Sequence, residues 1–105
     1  MWQVLLDIGT NMNSKTEEAL GILQEECAEV IVEVSKIRRF GLTTAHFKSD
    51  MQHTHQTMLE MEIGDVLALV DILLDQEIIN KERLDQYKQN KKDKLKKWSN
   101  LYTTP

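Results

Sequence analysis

Residues 23–34, LQEECAEVIVEV, hold Leu23, Cys27, Val30 and Val34 at spacings of four, three and four. That rhythm lays the apolar side chains along one face of an α-helix. Outward from the stretch, Leu20 and Ile37 continue the seam in both directions. Ser14 and Glu17 match the S-x-x-E capping box that opens a helix, and Gly41 after Phe40 is a good stop. The spacing therefore predicts a first helix over residues 15–39. Within two of its turns stand Glu25, Glu26 and Glu29, three crowded carboxylates that call for a positive partner. A lysine, bulk water or a metal ion could supply it.

The rest of the chain reads as helical too. GLTTAHFKSDMQHTHQT is polar and weakly patterned, a loop or a frayed helical start. A second helix is expected from Met58 to Ile79. Asn80 then has the chemistry of an N-cap for a third helix, KERLDQYKQNKKDKLKKW, which has little apolar content. Trp2, Leu5 and Leu6 suggest a short additional helix before Ser14. One proline and four glycines are too few for a turn-rich β fold. The 105 residues suffice for a single domain, 1–105, and not for two. The expectation is an all-α protein, an antiparallel helical bundle.

Composition narrows the setting. A formal net charge of -4 fits nucleic-acid binding poorly, although the third helix is basic. The single Cys27 cannot form an intramolecular disulfide, which points to a reducing cytoplasm. The first residues lack the pattern of a signal peptide, and no apolar run approaches membrane-spanning length. The chain is expected to be soluble, cytoplasmic, and free of membrane and nucleic-acid partners.

A helical wheel at about 100° per residue separates the charges. On the first helix Glu26, Glu29 and Glu33 share an arc beside the apolar stripe, while Glu25 points further round. On the second helix one polar strip holds Glu60, Gly64, Asp71 and Asp75. Glu62 and Asp65 fall on the opposite side, among Met58, Val66, Leu69, Ile72 and Leu73. An unpaired carboxylate in apolar surroundings costs several kcal/mol, so it pairs, binds metal or stays protonated. Solvation accounts for Glu25 or Glu33 taken alone, and ion pairs to Lys36, Arg38 or Arg39 are an alternative for Glu62 and Asp65. E-x-x-E on one helix and E-x-x-D on the next, packed antiparallel, would instead converge four carboxylates. Such hard oxygen donors suit Mg²⁺ or Mn²⁺. A di-iron bundle would want Glu-x-x-His, and no glutamate here has that partner.

Glu25, Glu26 and Glu29 in E-E-C-A-E, followed by Glu62 and Asp65 in E-I-G-D, resemble the E-E-x-x-E … E-x-x-D signature of the MazG-like all-α nucleoside triphosphate pyrophosphohydrolases. V-L-A-L-V-D-I-L and Asn90 within Q-N-K-K-D-K-L-K-K-W extend the likeness over about residues 15–98. The resemblance implies a Mg²⁺-dependent hydrolase, with Mn²⁺ as a substitute, that cleaves a nucleoside triphosphate to the monophosphate and pyrophosphate. It implies Glu26, Glu29, Glu62 and Asp65 as metal ligands, with Glu25 and Glu26 orienting or activating the attacking water. Asn90, Lys91 and Lys94 would contact sugar or phosphates. It further implies a homo-oligomer, dimer or tetramer, that completes each site. The 32 residues between Glu29 and Glu62 are more than compact members have, a difference that bears on specificity.

Other residues have plainer readings. Cys27 lies on the apolar seam and is expected in the core. Lys88, Lys91, Lys92, Lys94, Lys96 and Lys97 serve either the helix macrodipole or phosphate contact. His53 and His55 do not share a helix face and are expected at the surface. Trp98 to Tyr102 is expected to dock as a hydrophobic tail on the bundle or on a neighbouring subunit. Phe47 and Trp2 have the same choice between base stacking and packing. The competing function is a non-enzymatic helical oligomer, which explains the apolar second helix equally well.

Overall fold

The computed structural model describes residues 12–44 and 53–104, and among them the fold is three α-helices with no strand: α1 (Ser14–Phe40), α2 (His55–Asp75) and α3 (Lys81–Trp98). The expected helix through Trp2, Leu5 and Leu6, and Phe47, lie outside the described residues.

Each helix starts on a polar cap. The side chain of Asn13, not Ser14, accepts from the Thr16 amide at 2.8 Å, so the cap stands one residue before the expected box. Asn and Ser are about equally good N-caps, so the sequence alone does not choose between Asn13 and Ser14. Thr54 caps α2 from Thr57 and Asn80 caps α3 from Arg83. Gly41 ends α1 at φ 96°, its amide bonded to the Ile37 carbonyl.

α2 ends at Asp75, four residues short of the expected Ile79, in a turn the sequence disguises. The Ile78 amide donates to Leu73 and the Glu77 amide to Leu74, the bond pair of a Schellman cap. Glu77 occupies the left-handed position, at φ 58°, where glycine is usual.

α1 and α2 pack against each other. Ala19 clusters with Leu69 and Leu73, and Phe40 stacks on His55 with ring centroids 5.8 Å apart. Rising numbers on α1 thus meet falling numbers on α2, which makes the pair antiparallel, as expected. Beyond Phe40 the amides of His55 and Gln56 bond to the carbonyls of Thr44 and Leu42, tying the start of α2 to the end of α1.

The core is small. Ala19, Leu69 and Leu73 are buried, with Leu20, Leu23 and Ile79 packed beside them. Cys27 is exposed, against expectation, at the open side of the α1–α2 pair. With Val30, Ile31, Ile63 and Val66 it lines a wholly apolar groove. His55 is buried, also against expectation, because Phe40 covers it. α3 forms no extended packing with α1 or α2. Trp98 is 76% exposed, with Leu101 and Tyr102 also exposed, so this tail does not dock on the described residues of its own chain. No helix among the described residues is long and apolar enough to cross a membrane.

Candidate metal centre

Glu26 projects from the middle of α1, and Glu62 and Asp65 lie one turn apart on α2. The antiparallel packing brings the three together. One carboxylate oxygen from each lies within 4.8 Å of the other two. Glu26 and Glu62 are half-buried and Asp65 is exposed, so the group opens to solvent on one side.

Crowding shows in the acidities. Partial burial holds the Glu26 carboxyl above its ordinary value, helped by Asp65 through charge and hydrogen bonding, then by Glu29 and Glu25. Glu62 is raised by burial first, then by the charges of Asp65, Glu29, Glu26 and Glu33. Every neighbour that acts on these two acids is itself an acid. Three hard oxygen donors on two rigid helices, with no cation among their influences, have the chemistry of a divalent-metal site. The three carboxylates could hold a metal ion, and Glu26 and Glu62 would bind it ionised.

Glu29 stands close enough to raise both acids but does not join the three within 4.8 Å. Glu25 is exposed and acts on Glu26 last of the three neighbours, in keeping with its place on the wheel. Asn90, Lys91 and Lys94 lie exposed on α3, apart from the α1–α2 pair in the single chain. Asn90 accepts from Gln86 Nε2 at 2.8 Å. Asp85 pairs with Lys81 and Lys88, and Asp93 with Lys96, while Lys91 and Lys94 have no ion pair among the described residues.

Glu33 is where solvation, the simplest reading of the sequence, fails. It is buried, with Oε1 accepting from Lys36 Nζ at 3.3 Å. The signal was its shared arc with Glu26 and Glu29. No protein-family model matches the chain, and searches of curated proteins and of solved structures return no match.

Proposed function

We propose that the chain is a Mg²⁺-dependent nucleoside triphosphate pyrophosphohydrolase, releasing a nucleoside monophosphate and pyrophosphate. The observation that carries this reading is the convergence of Glu26, Glu62 and Asp65 within 4.8 Å across two antiparallel helices. These are three of the four carboxylates that the likeness to the MazG-like pyrophosphohydrolases implies as ligands. Glu26, Glu62 and Asp65 hold the cation, with Glu29 beside them. Bound there, Mg²⁺ supplies Lewis acidity and neutralises phosphate charge, without which the acids and a triphosphate repel.

Water attacks the α-phosphorus, the bond to the bridging oxygen breaks, and pyrophosphate leaves. Glu26 or Glu25 takes the proton of the attacking water. Lys91 and Lys94, free of ion pairs among the described residues, meet the phosphates, and Asn90 the sugar. Because α3 lies apart from the α1–α2 pair, these three come to the acids from a neighbouring copy in a homo-oligomer.

Release of pyrophosphate from a panel of ribo- and deoxynucleoside triphosphates, with Mg²⁺ and with chelator, tests the reading. Turnover of at least one member in Mg²⁺ alone is expected. No turnover of any member by folded protein would remove the enzymatic reading.

A second reading, a non-enzymatic helical oligomer, is favoured by Ile31, 69% exposed, and Leu67, 57% exposed, on the two packed helices. The Glu62→Gln variant separates the readings. It greatly weakens metal binding in the enzyme and leaves it unchanged in the oligomerisation module.

A further inference from the structure

Between α1 and α2 lies a cavity of about 290 Å³ that the carboxylate site does not use. Ala19, Ile22, Leu69 and Ile72 give it apolar walls, and Gln76 lines it from the end of α2. Lys15 and Glu18 also line it, and their opposite charges leave the cavity with no net charge. A phosphate would find no charge partner to spare there, whereas a neutral ring would gain apolar burial.

Spacing ties the cavity to the acids. On α1, Lys15, Glu18, Ile22 and Glu26 follow at three, four and four, along one helix face. On α2, Asp65, Leu69, Ile72 and Gln76 follow at four, three and four, again along one face. In the antiparallel pair both rows lead away from the acids in the same direction. Ile22 and Leu69 stand one turn, about 6 Å, from Glu26 and Asp65, and Gln76 stands about 16 Å beyond Asp65. A metal-bound phosphate, its sugar and a base laid end to end cover that length.

Gln76 has an unused polar atom. Its backbone amide bonds to the Ile72 carbonyl at 2.9 Å, but its side-chain Oε1 is buried with no hydrogen-bond partner. Such an acceptor is costly until a donor reaches it, and the terminal amide torsion is soft enough to turn it into the cavity.

We infer that this cavity takes the base of the nucleotide, with Ile22, Leu69 and Ile72 against its ring and Gln76 Oε1 accepting from an N–H of its edge. This rests on the pyrophosphohydrolase reading, since a triphosphate held at Glu26, Glu62 and Asp65 is what leads the base here. Every common base has an N–H on its pairing edge, so Gln76 selects a nucleotide over a bare polyphosphate.

Methyl resonances of the full chain, titrated in chelator with adenosine, guanosine, cytidine, uridine and thymidine, test it without metal or phosphate. Saturable shifts at Ile22, Leu69 and Ile72 are expected with at least one nucleoside. Gln76→Met, which keeps the length of the side chain, is expected to weaken that binding about tenfold. No shift at these three residues from any nucleoside overturns the inference, and turnover of a triphosphate by the same protein in Mg²⁺ would leave the activity standing. Shifts confined to Val30, Ile31, Ile63 and Val66 also overturn it, and equal affinity in wild type and Gln76→Met overturns the role of Gln76. Shifts at Ile22, Leu69 and Ile72 without turnover of any triphosphate keep the base site and remove the activity.

Discussion

At Glu26 and Glu62 the folded chain holds protons more tightly than the unfolded chain does, because burial and neighbouring acids disfavour the ionised forms. Both carboxyls lie above the ordinary value of 4.5. Between pH 4.5 and the raised values the folded state therefore binds more protons than the unfolded state, and metal-free stability falls as pH rises across that window. Below 4.5 the two acids are neutral in both states and their penalty vanishes. Urea midpoints in chelator should decline as pH rises from 4.5 to 7 on account of these groups, and Mg²⁺ should oppose the decline most at the upper end. Glu62→Gln removes one of the two raised acids. Without metal it should raise the melting midpoint by ~1–4 °C, and it should abolish the further rise that Mg²⁺ gives wild type. The meeting of Glu26, Glu62 and Asp65 was legible in the sequence because a spacing of three fixes a helix face whatever the helix packs on. Glu33 was not, since burial depends on what the neighbouring helix covers, and a helical wheel carries no neighbour.

Helix boundaries were legible wherever a residue's own chemistry makes the boundary. Gly41 ends α1 because its φ of 96° is open to glycine, and Asn80 starts α3 through its side-chain oxygen. The end of α2 was hidden because Glu77 adopts a left-handed conformation without being glycine, so nothing in DQEII marks the stop. That position predicts its own repair. Glu77→Gly should stabilise the protein by about 1 kcal/mol in chemical denaturation, by removing the left-handed penalty. Gly41→Ala should do the reverse, at a similar ~1 kcal/mol, although the added Cβ would meet only Thr44 Oγ1 at an ordinary 3.4 Å. The cost there is backbone conformation, not space.

The whole chain is too open for its length. Its radius of gyration is 17.8 Å, where a compact chain of this size has about 13 Å. α3 carries most of the basic side chains and lies apart from the acidic α1–α2 pair, and the apolar groove at Cys27, Ile31 and Ile63 faces outward. An all-α class was legible from sequence. The third helix was expected within a bundle, and a single chain does not place it there, since KERLDQYKQNKKDKLKKW offers Leu84, Tyr87 and Leu95 but few other apolar contacts. Sedimentation velocity at micromolar concentration should show a dimer or larger species. Ile31→Glu, which puts a charge in the groove, should weaken that assembly by about 2 kcal/mol, with loss of helicity as protomers separate. The central claim concerns the carboxylates those protomers hold, and anomalous scattering from crystals grown with Mn²⁺ tests it most directly. A peak about 2.1 Å from carboxylate oxygens of Glu26, Glu62 and Asp65 is the expected result. A well-ordered α1–α2 pair with no peak among those three side chains would contradict it.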